Sequence, residues 1–112
     1  MGKVPASVVA VGVFALAAWI ALANYEDRAR SSAFELVASG QDRAQALAHM
    51  GRPDHAEPNW PGFTAYANGP CAAPCHERLW WESRLMPRGF EAWSVELDPA
   101  GRVLHKAHWV SP

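Results

Sequence analysis

Cys71 and Cys75 are the only cysteines of the chain, and His76 follows the second directly. Thiols separated by three residues, in a stretch broken by Gly69, Pro70 and Pro74, support four chemistries. In an oxidising compartment the two sulfurs close a small disulfide loop. So short a loop removes little chain entropy, and its value is local rigidity between strands. As thiolates, Cys71 and Cys75 would offer Zn or Cu two ligands, with His76 as a third and a fourth from elsewhere. The run Cys-x-x-x-Cys-His is one residue longer than a c-type haem attachment. A redox-active dithiol ordinarily has two intervening residues at a helix start. The structural disulfide is the first reading. A metal- or haem-linked factor using Cys71, Cys75 and His76 is the alternative.

The remaining histidines are dispersed. His105 and His108 fall on opposite faces of one expected strand, His49 sits where a helix C-terminus favours a cation, and His55 lies in a loop. No nucleophile–base pair, paired carboxylates, phosphate loop or complete metal signature is legible, so the chain reads as non-catalytic and without a cofactor. Ten Lys and Arg against eleven Asp and Glu give a formal net charge of −1. That balance argues against a nucleic-acid binder, which needs a basic stripe to displace counterions.

Five tryptophans lie beyond residue 30, a large apolar payload for a domain of about eighty residues. Trp60, Trp81, Trp93 and Trp109 read as core. Trp80 alternates away from Leu79 and Trp81 and shares its row with Arg78 and Glu82. Together with Lys106 and His108 on outward rows of the last strand, Trp80 and Arg78 form a candidate partner-binding patch. The competing reading places Trp80 beneath the Cys71–Cys75 loop.

The elements that must carry these residues begin with an apolar segment. Val4 to Ala23 holds no ionisable residue, and Lys3 precedes it. Twenty residues at about 1.5 Å each span roughly 30 Å, the thickness of a bilayer's hydrocarbon core. Trp19 and Tyr25 fit an interfacial belt. The segment reads as a retained anchor over residues 1–24, with 25–30 as a stalk. A signal peptide cleaved at Ala21-Leu22-Ala23, which would release the domain as a secreted inhibitor-like binder, is the alternative. A buried core helix is the third.

Ser31 or Ser32 offers an N-cap, with Ser32 and Glu35 at capping-box spacing, for a short helix ending at Gly40. Asp42 and Gln45 form a second capping box, opening a helix that stops at Gly51 before Pro53. Strand patterns follow at Phe63–Ala67 (weak), Arg78–Arg84, Glu91–Leu97 and Arg102–Val110. Asp98 to Gly101 suits a type I turn closed by a glycine bulge. Pairing across it sets Leu97 opposite Val103, Val95 opposite His105 and Trp93 opposite Ala107, so that Ala107 and Trp109 join the core face. The expected fold is α+β: two short helices on one face of a three- or four-stranded antiparallel sheet, preceded by a single transmembrane helix.

The run Gly40-Gln41-Asp42-Arg43-Ala44-Gln45, then Leu47 and Met50-Gly51-Arg52-Pro53, resembles the helix–helix signature of the SmpA/OmlA domain family. The closing strand pair with its Asp98–Gly101 turn is similar too. The resemblance covers residues 31–112 and implies a periplasmic envelope domain that binds protein, as in the small lipoprotein of the outer-membrane β-barrel assembly machinery. Asp42 stands where the family has a hydroxyl cap. No lipidation cysteine follows the apolar segment, so a retained helix would hold the domain at the inner membrane, facing the periplasm with an envelope protein as partner.

Overall fold

Pro5, with φ −62° and ψ 144°, lies just outside the longest helix, and its carbonyl accepts from the N–H groups of Val8 and Val9 at 3.0 and 3.2 Å. In the computed structural model, which describes residues 2–58, 71, 73–83 and 91–110, helix α1 then runs unbroken over Ala6–Glu35. The polar run from Asn24 to Arg30 does not interrupt it. Ala, Glu and Arg favour helix there, and neither Gly nor Pro occurs between Gly12 and Gly40. The short helix expected to start at Ser31 or Ser32 is therefore the last turn of α1. With Arg30 already helical, no free helix N-terminus exists for Ser32 and Glu35 to cap. No helix boundary marks residues 24 or 30 either.

The first half of α1 leaves its large apolar side chains exposed, Phe14 to 79 % and Val11 to 68 %. It is long and apolar enough to cross a membrane, a property shared by anchors and signal sequences. Ala23 is its only fully buried residue. The chain turns at Gly40, whose φ of 89° suits a residue without a Cβ. Gly40 N–H donates to the Val103 carbonyl at 2.9 Å, and Val103 N–H to that of Gln41 at 2.8 Å. Helix α2, Arg43–Met50, follows with the expected capping box complete. Gln45 N–H donates to the Asp42 carboxylate at 2.8 Å, and the Gln45 side chain accepts from Asp42 N–H at 2.9 Å. Gly51, at φ 79°, closes it.

Four antiparallel strands make one sheet in the order β1-β2-β3-β4: β1 His55–Pro58, β2 Glu77–Glu82, β3 Glu91–Leu97 and β4 Val103–Val110. The expected strand at Phe63–Ala67 lies outside the described residues, as does Trp60. His55, expected in a loop, opens β1. Four residues with no apolar alternation become a strand only by pairing with β2, as in Ala56 opposite Leu79. The β3–β4 turn forms as expected. Gly101 has φ 80°, and the Asp98 carboxylate accepts from Ala100 and Arg102 N–H groups, both at 2.9 Å.

The register beyond that turn corrects the expected core face. Leu97 does pair with Val103, but an irregularity at Glu96/Leu97 puts two β4 residues against one β3 step. From there Glu96 faces His105, Val95 faces Lys106, Trp93 faces His108 and Ala92 faces Trp109. A shift of one residue exchanges the faces of a strand. Ala107 and Trp109 thus share a face with Trp80, while Lys106 and His108 share one with Trp93. Val37, Ala46 and Met50 from the helical half occupy one buried cluster with Leu79, Trp81, Trp93, Val95, Leu97 and Val103.

Candidate functional site

Two clusters of polar and aromatic groups stand on opposite faces of the sheet. The first surrounds Trp80. Arg78, Trp80 and Glu82 alternate away from the cluster of Leu79 and Trp81, and β1 brings His55 and Glu57 alongside them. Trp80 is 0 % exposed and Arg78 6 %. The Trp80 indole N–H donates to the Glu57 carboxylate at 2.6 Å. Arg78 pairs with the same carboxylate, lies 3.9 Å from that of Glu96, and covers the Trp80 ring at 5.1 Å. Trp109 tilts against Trp80 with centroids 5.9 Å apart, and its N–H donates to the buried Ser94 hydroxyl at 3.0 Å. His55 and Glu82 form a further pair at the strand ends.

This geometry separates the four residues of the expected patch. Trp80 and Arg78 are buried and held by Glu57, so neither offers a side chain to a partner from the solvent side. Lys106 and His108 are on the other face. The Lys106 ammonium donates to the Phe34 carbonyl at 2.8 Å and sits 4.7 Å from the Phe34 ring centre, while His108 bonds Glu91 and stacks on Trp93. The four residues do not converge. A cavity of about 230 Å³ whose lining includes Arg78, Ser94, Glu96, His105, Lys106 and Trp109 opens beside them. Its one guanidinium is engaged by two carboxylates.

Cys71 and Cys75 form the expected disulfide, with Cα atoms 5.4 Å apart and both residues buried. His76 is exposed, and its backbone N–H donates to the Leu97 carbonyl at 2.7 Å. The third potential ligand beside the sulfurs is Glu96, whose carboxylate and the two sulfurs lie within 4.8 Å of one another. Arg78 supplies positive charge next to that carboxylate, which disfavours a cation there. The set Cys71, Cys75 and His76 is not assembled as three ligands.

The second cluster lies where α1 meets the ends of β2 and β3. The Ser83 hydroxyl donates to Asp27, 3.2 Å from each carboxylate oxygen. Arg30 donates to the Glu82 carbonyl at 2.7 Å, is 3.5 Å from the Asp54 carboxylate, and lies over Trp93 at 5.8 Å. Burial raises the Asp27 pKa above its ordinary 3.8, aided by a hydrogen bond and repulsion from Glu91 and opposed by Ser83 and Arg30. Sequence reasoning did not single out Asp27, Glu57 or Glu91. None belongs to a motif, and each acquires its partner only through strand pairing or the packing of α1.

No protein-family model, curated protein or solved structure matches the chain.

Proposed function

We propose that this chain is a membrane-tethered interaction module of the cell envelope: anchored in the inner membrane by residues 4–23, with its disulfide-bonded α+β domain in the periplasm. The observation that carries this reading is the continuity of α1. One helix leaves the large side chains of its apolar half exposed, while at its other end Ala33 and Phe34 lie against the core. An exposed surface of that length and apolarity requires a bilayer or an equivalent partner.

The disulfide supports an oxidising compartment, and hence export of the C-terminal part. We read the two helical segments as a layer over the Trp81 and Trp93 face, the arrangement implied by the SmpA/OmlA resemblance. The role we assign is structural or accessory, binding an envelope protein and not turning over a substrate. In both clusters the titratable side chains are engaged with one another or with backbone carbonyls, as expected of a scaffold.

Fractionation of the full-length chain in a bacterial envelope tests the assignment. Retention in the membrane pellet after an alkaline wash is expected, with digestion of the domain only once the outer membrane is opened. A soluble mature chain beginning at Asn24 would overturn the tether. In-membrane crosslinking should then capture a specific envelope protein.

A further inference from the structure

β4 ends the sheet on one side, and the chain itself pairs with the start of that outer edge. Gly40 N–H donates to the Val103 carbonyl at 2.9 Å, and Val103 N–H to the Gln41 carbonyl at 2.8 Å. The Ser39 hydroxyl donates to the Leu104 carbonyl at 3.1 Å, and Asp42 with Arg102 forms an antiparallel bridge. Upstream of Ser39 the backbone turns away into α1, and the pairing stops.

The direction of the remaining groups follows from the ladder. The Glu91 and Leu97 carbonyls accept from Ser83 and His76 on the β2 side, so Ala92, Ser94 and Glu96 turn their backbone groups to β4. Their partners there are Trp109, Ala107 and His105. Lys106, His108 and Val110 therefore point their N–H and C=O groups outward, and among the described residues no backbone group pairs with them. α1 does not run along this edge. From Phe34 at Lys106 it crosses inward, to Arg30 over Trp93 and Asp27 beside Ser83.

An open edge accepts an added strand whose side chains suit its own. After Asp98 the sequence has no Asp or Glu, while Arg102, His105, Lys106 and His108 all fall there. Arg102 donates to the Gly40 carbonyl, and Lys106 to the Phe34 and Glu35 carbonyls. Neither has a carboxylate against it among the described residues, unlike Arg30, Arg43 and Arg78. The carboxylates closest along β3 are engaged: Glu91 by His108, and Glu96 at 3.9 Å from Arg78. Lysine on an edge ordinarily discourages pairing. Here its ammonium is folded over the Phe34 ring, 4.7 Å from the centre, which leaves the backbone beside it clear. On the opposite face, Ala107 and Trp109 border the cavity of about 230 Å³.

We propose that the outer edge of β4, from Lys106 to Val110, docks an extended segment of a partner protein in which carboxylates alternate with apolar side chains. The carboxylates lie beside Lys106 on the α1 face, and the apolar side chains beside Ala107 and the cavity. A second copy of β4 suits this edge poorly. Lysine and histidine would meet lysine and histidine, with no carboxylate on either strand. The proposal rests on the reading of the chain as an interaction module, but not on its membrane tether.

The test uses the full chain in micelles of an uncharged detergent. The probe is a peptide of about ten residues alternating glutamate with valine. Amide exchange is followed residue by residue by NMR. With the peptide, the Lys106, His108 and Val110 amides should exchange about tenfold more slowly, and a lysine–valine peptide should leave them unchanged. Methylating the peptide nitrogens of all glutamates, or of all valines, should abolish protection in one case only, since an added strand pairs through one edge. Lys106→Glu should weaken the glutamate peptide and admit the lysine one. The methylated pair gives its answer even should that variant fold poorly. Protection by both unmethylated peptides alike, or by neither, would overturn the proposal. So would protection of these amides in the chain alone: rising with chain concentration it would assign the edge to a second copy, and independent of concentration to the chain itself. Membrane retention on fractionation is untouched by each of these outcomes, so the tether is judged separately.

Discussion

The indole N–H of Trp80 donates to the carboxylate of Glu57 at 2.6 Å across the β1–β2 pair, beside an Arg78 that is itself buried. The short β1 is thereby pinned to β2 by its side chains as well as its backbone. Removing one member of a buried ion pair leaves an uncompensated charge, costing about 3–5 kcal/mol. Glu57→Ala should lose about 3 kcal/mol in urea unfolding, near the low end because Arg78 keeps Glu96 nearby. Adding Arg78→Met should recover part of the loss. A double variant less stable than the single one would contradict this account.

The four described tryptophans of the domain differ in one atom's fate. Trp80, Trp81 and Trp109 donate their N–H to Glu57, the Gly51 carbonyl and Ser94, at 2.6, 3.2 and 3.0 Å. The buried Trp93 Nε1 has no hydrogen-bond partner among the described residues. Trp93→Phe removes an unsatisfied donor along with its volume, whereas Trp80→Phe strips a charge-assisted bond, worth about 1.5–3 kcal/mol. Trp80→Phe should therefore be the more destabilising by at least about 1 kcal/mol, measured by chemical denaturation of the two variants side by side.

What could be read from the chain alone was what is local. The Asp42–Gln45 capping box, the Asp98–Gly101 turn and the limits of β3 depend on neighbours within a few residues. β1 has no such signal: His55 to Pro58 alternate nothing apolar, and Leu79 and Trp80 across the strand pair define them. Alternation alone gives β4 the wrong faces, because one bulge residue is invisible in an alternating pattern. Val103 is held by Gly40 and Gln41, more than sixty residues away, and the strand steps once before resuming its pairing. That register also places Lys106 and His108 on the Trp93 face, away from Trp80 and Arg78. The disulfide was legible from spacing and compartment, but its neighbour Glu96 was not, since β3 brings it there.

Reduction of Cys71–Cys75 should be mild. The cysteines are four positions apart, and the chain-entropy contribution of so small a loop is about 2 kcal/mol at most. The reduced chain should unfold at lower urea concentration, and the sheet signal in circular dichroism should persist before the transition. Loss of the sheet on reduction alone would show that the loop, and not the Glu57–Arg78–Trp80 set, holds that face together.

Asp27 predicts the sign of one pH dependence. Its folded pKa is raised above 3.8, first by burial and then by Glu91, so the folded state binds this proton more tightly than the unfolded chain does. The resulting stabilisation is fully present below about pH 3.8, the unfolded value, and is lost as pH rises through the folded one. Asp27→Asn cannot titrate and, like the protonated acid, carries no charge. The variant and the wild type should be similarly stable at the acidic end. Across that window the variant should gain relative to the wild type, then hold a constant lead at higher pH. The lead should be a fraction of a kcal/mol, because Asp27 is only half-buried and solvent screens its repulsion from Glu91. Urea midpoints of both chains from about pH 3 to 8 measure it. A lead that shrinks as pH rises would show that Asp27 is stabilised as the anion, by Arg30 and Ser83, and that the Glu91 contact does not govern its proton.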